Sequence, residues 1–226
     1  MSIFSYHLVK LPLRVAVRLM LFPVRARDMK GLVYAETMSA MVLGSPVYSM
    51  SRFFSRQIVV FAQWENEHEL NAFLQENAIG KQISKGWHIR LKFVRQWGAI
   101  SGFKIPENDS EVVDENTPVV AVTIARMRYT QIPRFLRWGR PVEKQVRDNT
   151  ESKMSLASIR YPNTISTFSI WNTKKAMTAM VHGHSQMPDP KRHHNAMKER
   201  ERKDFHFEFT TLRFLSLGEY KNGEPC

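Results

Sequence analysis

Four of the eight histidines of this chain lie close together, as the pairs His182, His184 and His193, His194. Imidazole is a common ligand for iron and zinc, so these residues are the first candidates for a metal site. A zinc site built from the two pairs is one interpretation, although adjacent histidines on a helix do not both face one metal. An iron site of two histidines and a carboxylate is another, although the only aspartates nearby in the sequence are Asp189 and Asp204.

A haem iron needs fewer protein ligands than these sites, because one histidine is enough to hold it. The imidazole must point into an apolar slot, and cations must lie near the propionates. His193 or His194, near the start of a helical stretch over 191–203, would supply the imidazole. Candidate partners of the propionates are Arg160, Arg192 and Arg213. All of these residues also fit a solvated helix start and an ordinary basic surface, and that interpretation stays open.

Other site chemistry has no signature in the chain. There is no G-x-S-x-G nucleophile motif, no G-x-G-x-x-G and no P-loop, so no catalytic residue is predicted. The single cysteine, Cys226, excludes a disulfide framework and a thiolate cluster. A reducing compartment fits this composition, and we predict a cytoplasmic protein.

The net charge of +12 over 226 residues calls for an explanation. Lysine and arginine are scattered, with no block of five and no RNA-binding or zinc-finger motif, so a nucleic-acid partner is disfavoured. An anionic membrane surface fits the charge better, because juxtamembrane cations bind anionic leaflets. The segment after Pro12 predicts a helix with Leu13, Ala16, Val17, Met20 and Leu21 on one face and Arg14 and Arg18 on another. We expect this helix to favour peripheral association with the inner face of a membrane.

An internal repeat sets the architecture. Residues 59–74 and 166–181 match when Trp64 is aligned with Trp171, which also aligns Phe61 with Phe168. Each half then predicts the order β-α-β-β-α-β, which is ferredoxin-like. Predicted strands include 33–41, 57–64, 88–95, 119–127, 155–161, 164–171 and 206–217, and predicted helices include 65–75 and a helix capped by Asn172 that ends at Val181.

The fold class is therefore predicted as α+β, with two tandem ferredoxin-like repeats in a single-chain barrel like that of dimeric α+β-barrel proteins. The repeats span 1–106 and 117–226, and an acidic linker over 107–116 joins them within one duplicated domain. We expect the two halves to face each other across a shared cavity. Two independent ferredoxin-like domains are the alternative.

The copies differ at one place. Thirty-three residues separate Trp171 from Phe205, whereas 22 separate Trp64 from Trp87, and the longer segment contains HGHSQMPDPKRHH. We predict that the site lies in this longer segment. His88 and His206 occupy equivalent strand positions beside Trp87 and Phe205, which favours a packing role for both.

Several segments, in order along the chain, resemble the spheroidene monooxygenase family of carotenoid-pathway enzymes. They are FSYH, IVVFAQW, GWHIRLKFVRQWGAISGFKIP, TPVVAVTIARMRYTQIPRFLRW, TFSIW and HHNAMKERERKDFHFEFTTLRFLSL. The resemblance implies a haem-dependent oxygenase that adds oxygen to a long apolar polyene. It also implies that His193, or His194 beside it, matches the family's histidine before the last helix. The run after Trp171 is longer than in the family, so His182 and His184 remain alternatives.

The sequence thus predicts a haem-binding, monooxygenase-like oxidoreductase that acts on a hydrophobic substrate, with a carotenoid as a candidate. Two alternatives are a cofactor-free binding or structural protein with the same barrel and a cofactor-independent oxygenase. The electron donor, the exact identity of the substrate and the oligomeric state are not predicted.

Overall fold

Eight antiparallel strands close into a barrel in the computed structural model, which describes residues 2–44, 56–104 and 112–226. The strand order is β4-β1-β3-β2-β6-β7-β5-β8, and β4 pairs with β8 to close the ring. A two-residue strand, β9, extends the edge beside β8. The strands are β1 Ile3–Lys10, β2 Leu32–Met41, β3 Gln57–Trp64, β4 Trp87–Ala99, β5 Val119–Met127, β6 Ser152–Arg160, β7 Thr164–Trp171, β8 His206–Lys221 and β9 Glu224–Pro225.

Helices pack outside the barrel, which makes the fold α+β. They are α1 Leu13–Leu21, α2 Glu67–Glu76, α3 Ala78–Ile83, α4 Ile132–Arg147, α5 Lys174–His182 and α6 Arg192–Arg202, with short 3-10 turns at Ala26–Asp28 and Tyr129–Gln131. The predicted cap of α5 is wrong by one residue: the Thr173 hydroxyl, and not Asn172, accepts the Ala176 N–H at 3.0 Å. Within the described ranges, no helix is long and apolar enough to cross a membrane.

The two halves of the chain have the same strand order, β4-β1-β3-β2 in the first and β8-β5-β7-β6 in the second. They meet along two seams. The β4–β8 seam is long, running from Trp87 opposite Lys221 to Ala99 opposite Phe209, and the β2–β6 seam covers only 39–41 opposite 157–159. Half of the predicted acidic linker, 107–111, lies outside the described residues; 112–116 leads directly into β5.

Aromatic side chains from both halves fill the interior of the barrel. Phe4, Tyr6, Phe61, Phe168 and Phe214 are all fully buried there. The rings of Tyr6 and Phe168 stack with centroids 4.0 Å apart, and those of Phe4 and Phe214 lie 5.0 Å apart. The prediction of a cavity shared between the halves is therefore wrong, because inward positions of both halves carry large rings that pack against one another.

On the outside of the first half, α1, α2 and α3 cover the sheet with a tightly packed layer. Leu70 and Phe73 of α2 and Ile83 of α3 are buried against it. Helix α1 packs through Ala16 and Leu19, whereas Leu13, Val17 and Leu21 of the predicted apolar face are exposed.

Candidate functional site

A cavity of about 520 Å³ lies outside the barrel, between the sheet of the second half and helices α4, α5 and α6. Its floor is made by outward-facing residues of β5, β7 and β8. Many of these are small or polar, whereas the outer face of the first half carries Ile58, Val60 and Trp64. The small floor residues of the second half leave space beneath the helices, whereas the larger residues of the first half fill the corresponding space. The floor residues include Ala121, Thr123, Ala125, Ile165, Thr167, Ser169, Phe209, Thr211 and Arg213.

The roof over this floor is set by the longer segment between α5 and α6. Gly183 ends α5 in a left-handed conformation with φ 77°, which lets the chain turn away from the sheet. The Gln145 side chain donates to the Pro190 carbonyl at 2.9 Å and fixes the turn against α4. An ion pair of 2.7 Å between Arg134 and Glu199 then joins α4 to α6. The segment where the two repeats differ therefore lies at the cavity.

His193 is the predicted site residue whose geometry best fits a ligand. It lines the cavity near the start of α6, and its Nδ1 lies 3.0 Å from the Val181 carbonyl oxygen. A carbonyl only accepts, so Nδ1 carries the proton and Nε2 is left with its lone pair. Nε2 has no hydrogen-bond partner among the described residues. Burial lowers the pKa of His193, which keeps the imidazole in the neutral form that binds metals.

The other three predicted histidines are placed differently. His182 also lines the cavity but is exposed at the end of α5, and its ring centroid lies 6.4 Å from that of His184. His184 and His194 are exposed and are not among the cavity residues. Across the described part of the chain, no three His, Cys, Asp or Glu residues are grouped so that they could hold a metal ion.

Of the three predicted arginines, one lies in the cavity and two form ion pairs elsewhere. Arg213 lies on the cavity floor, half-buried, with its Nε buried and without a hydrogen-bond partner. Arg160 is paired with Glu36 at 2.8 Å and is not a cavity residue. Arg192 pairs with Asp189 at 2.6 Å at the exposed start of α6. The structure therefore brings His193, His182 and Arg213 to one cavity.

The sequence predicts only a packing role for His206, but His206 also lines the cavity. Its ring packs against Phe135, Phe205 and Phe209, and its Nδ1 lies 3.2 Å from Asp204 Oδ1. Burial, with a smaller effect of Arg200, lowers the pKa of His206 to about 4, and its buried Nε2 has no partner in the described structure. Its position on β8, immediately after the longer segment, was the available signal.

No protein family model matches the chain, and no curated protein sequence matches it. Its structure is similar to that of an anthrone oxidase-like protein, with 14% identity, 99% of this chain and 93% of that chain covered, and a TM-score of 0.37. It is also similar to a candidate monooxygenase from Lactobacillus acidophilus, with 8% identity, coverage of 100% and 98%, and a TM-score of 0.39. A third similar structure is that of a heme-degrading enzyme from Listeria monocytogenes, with 11% identity, 95% of this chain and 99% of that chain covered, and a TM-score of 0.30. The function proposed below rests on the cavity itself.

Proposed function

We propose that the protein binds haem in the cavity of its second half and acts as a monooxygenase-type oxidoreductase on a hydrophobic substrate. The observation that carries this proposal is the orientation of His193. The Val181 carbonyl holds the protonated Nδ1, which leaves Nε2 as the free donor atom of a neutral imidazole in the cavity wall. This is the arrangement by which a histidine is presented to a metal with its tautomer fixed.

The residues of the cavity fit a haem group. Its volume of about 520 Å³ is within the range of about 300–1,000 Å³ for small-molecule and cofactor sites. His193 would hold the iron, and the floor arginine Arg213 would lie near a propionate. When bound, haem would supply the iron chemistry that activates oxygen.

The remaining roof residues would exclude water and position the substrate. Met177 and Met180 of α5 are buried, and Met197 of α6 also lines the cavity. Methionine side chains are flexible and adapt to apolar ligands of irregular shape. An apolar, water-poor cavity also strengthens the electrostatic interactions formed inside it.

For the substrate we propose a hydrophobic molecule, since apolar side chains from α4, α5 and α6 surround most of the space. The resemblance to spheroidene monooxygenases makes a polyene of the carotenoid class the first compound to assay. An electron donor is also required, and its identity is left to experiment. We further interpret the halves as tandem ferredoxin-like repeats, an interpretation supported by their identical strand orders.

One observation favours a second candidate function, a cofactor-independent oxygenase. His206 is a neutral cavity imidazole whose Nδ1 faces Asp204, so its Nε2 is available as a general base. In that reaction His206 would remove a proton from the substrate, and the resulting carbanion would itself react with oxygen. Activity in the absence of any metal would support this candidate over the first.

Haemin titration of the purified protein tests the leading proposal. We expect a Soret band in the wild-type complex and its loss, or a large shift, in His193→Ala. Imidazole added to His193→Ala should restore the band, because it replaces the missing ligand without repairing anything else. His194→Ala is the matched control, since that side chain is exposed on the same helix turn.

A colourless protein that fails to bind haemin would overturn the haem proposal. An unchanged spectrum in His193→Ala would remove His193 from the ligand position, and the same titration of His182→Ala would then show whether the other cavity histidine of the longer segment holds the iron.

A further inference from the structure

Two arginines face each other across the long seam of the barrel. Arg95 of β4 lies directly opposite Arg213 of β8 in the strand register. Like charges at directly opposed positions destabilise a sheet. In the described structure neither guanidinium forms an ion pair with a carboxylate, and the nearby Arg95 contributes, after burial, to lowering the pKa of Arg213.

An indole ring holds the two cations in place. The Cζ atoms of Arg95 and Arg213 lie 4.9 Å and 4.8 Å from the centre of the Trp97 ring. Trp97 itself lines the cavity beside Arg213. Stacking on an aromatic face orients a guanidinium while leaving its N–H groups free to donate. The ring therefore positions both cations, Arg213 on the cavity floor and Arg95 exposed beside it and outside the cavity lining, and no carboxylate pairs with either one in the described structure.

We propose that Arg95 and Arg213 bind an anionic group, a carboxylate, on the ligand that fills the cavity. Planar guanidinium groups match a carboxylate with paired, charge-assisted hydrogen bonds. The ligand class is then an amphipathic anion, with an apolar body over the small residues of β5 and a carboxylate at Trp97. The inference rests on the proposed function in using the same cavity, but it does not require haem.

Binding of a fluorescent polyene fatty acid, cis-parinaric acid, compared with its methyl ester tests this site. We expect the acid to bind about tenfold more tightly than the ester, as charged hydrogen bonds at a partly buried site provide. Arg213→Gln and Arg95→Gln should each weaken binding of the acid about tenfold and leave binding of the ester unchanged. Arg27→Gln is the control, because that arginine is exposed and paired with Asp28 in the first half.

The source of the carboxylate is resolved by repeating the titration with haemin and haemin dimethyl ester. Weaker haemin binding in Arg213→Gln, with unchanged ester binding, assigns the pair to a propionate. Unchanged haemin binding with weakened fatty-acid binding assigns it to the substrate. If the protein binds no haemin but still binds the fatty acid more tightly than its ester, the anion site is supported and the haem proposal is refuted. Equal affinity for acid and ester in the wild type, or an acid preference that survives in both arginine variants, would overturn the inference.

A second and independent feature is an apolar strip on α1. Leu13, Val17 and Leu21 repeat every four residues and are 54%, 48% and 66% exposed, and Phe22, the residue after the helix, is 71% exposed. Ala16 and Leu19 hold the opposite face of the helix to the sheet. The helix is thus docked on the sheet, and its apolar strip faces away from the protein.

Cations surround this strip and no acid interrupts it. Lys10, Arg14, Arg18 and Arg25 are all exposed, and α1 contains no acidic residue. An amphipathic helix with apolar residues on one face and cations beside them is suited to the interface of an anionic bilayer. We infer that α1 docks the protein on an anionic lipid surface, from which an apolar substrate can be taken.

Flotation with phosphatidylcholine vesicles, with and without phosphatidylglycerol, tests this docking. We expect binding only to the anionic vesicles, and weaker binding as salt is raised. Arg14→Gln and Arg18→Gln should each weaken binding about fivefold, and Leu21→Ser with Phe22→Ser should abolish it. Leu217→Ser is the control, because Leu217 is 53% exposed on β8. Absence of flotation, or a strip variant that changes the mass in solution and not vesicle binding, would overturn the inference in favour of contact between two copies.

Discussion

At the scale of single residues, the first half holds a buried pair of histidines with unusual surroundings. His7 and His88 lie opposite each other on β1 and β4, with ring centroids 4.8 Å apart, and His88 also stacks on Tyr220 at 4.9 Å. None of their four ring nitrogens has a hydrogen-bond partner in the described structure. Arg90 lies near both rings and disfavours a second positive charge. The fold therefore requires both imidazoles to be neutral.

This requirement predicts a loss of stability in mild acid. Burial, and after it Arg90, lowers the pKa of His88 to about 4, and burial lowers the pKa of His7 well below its usual range. The unfolded chain takes up protons near pH 6.5, before the folded chain does. The stabilisation is thus complete above about pH 6.5 and is lost as pH falls towards about 4. For His88 the loss is on the order of 3 kcal/mol.

Thermal melts of wild type, His88→Phe and His68→Phe between neutral pH and about pH 4 measure this effect. We expect the wild type and His68→Phe to lose stability in parallel, because the His68 side chain is exposed and lies outside the buried pair. His88→Phe should show a flatter profile than either. Carboxylate titration affects all three proteins equally, so parallel profiles for all three would refute a role for the buried pair.

Inference from the sequence at this scale uses a residue type and its neighbours in the chain. The longer segment after Trp171 pointed to His193 because it contains clustered histidines that the other repeat lacks, and the structure places His193 in the cavity wall. Nothing in the sequence separated His193 from His194, because only the direction of the helix face does so. His206 resembled His88 by position in the repeat, but one faces Tyr220 and the other faces a cavity.

At the scale of elements, the β4–β8 seam depends on one glycine. Gly98 has φ +75°, and a Cβ added there would lie 2.2 Å from the Phe209 carbonyl oxygen. This close approach brings Thr210 within reach of the neighbouring strand, where its hydroxyl donates to the Trp97 carbonyl at 3.2 Å and accepts from Gln96 at 2.9 Å. The seam at Gly98 therefore fixes the position of Trp97.

Gly98→Ala should destabilise the protein by about 2 kcal/mol or more, because left-handed strain adds to a clash with backbone. Gly223→Ala is the matched control: its φ of +83° gives the same strain, with nothing within 4 Å of the added Cβ. Urea unfolding measures the difference, and weaker binding of the polyene acid should accompany it only in Gly98→Ala. Equal destabilisation of the two variants would show that the close approach is unimportant.

The strands were predictable because apolar alternation is strong in them, and 57–64, 119–127 and 164–171 match the prediction residue for residue. The position of the cavity could not be predicted from the same alternation, because both faces of a strand such as β5 are covered. Val120, Val122 and Ile124 face the barrel interior, and the smaller residues between them face the helices. Alternation identifies the two faces but does not say which one faces a packed core. For α1, both stripes are apolar, so the buried one could not be chosen.

At the scale of the whole molecule, the two halves are held together very unequally. The long β4–β8 seam is continuous, whereas β2 and β6 pair only over 39–41 and 157–159. Beyond that short ladder, a buried carboxylate forms ion pairs that also join the two halves. Glu36 of β2 is 3% exposed and lies 2.8 Å from Arg160 and 3.2 Å from Arg126, both in the second half. The Tyr34 hydroxyl also donates to Glu36, at 2.8 Å.

We therefore expect the negative charge of Glu36 to contribute strongly to closure of the barrel at this seam. Glu36→Gln keeps the volume and removes the charge, which leaves Arg160 without an acidic partner in the described structure and Arg126 with Glu208 alone. Because breaking a buried pair leaves an uncompensated charge, we expect a loss of about 3 kcal/mol in urea unfolding. Amide exchange should accelerate first in β2 and β6 and last in the β4–β8 seam, since the short ladder would open while the long one holds.

Asp28→Asn provides the comparison for this closure. Asp28 pairs with Arg27 at 3.5 Å where both side chains are more than half exposed, so its loss should change stability by less than about 1 kcal/mol. If Glu36→Gln is no more destabilised than Asp28→Asn, the backbone ladder alone closes the barrel. If exchange instead accelerates equally in both seams, the halves unfold together and the Glu36 network stabilises the whole barrel and not its weaker joint.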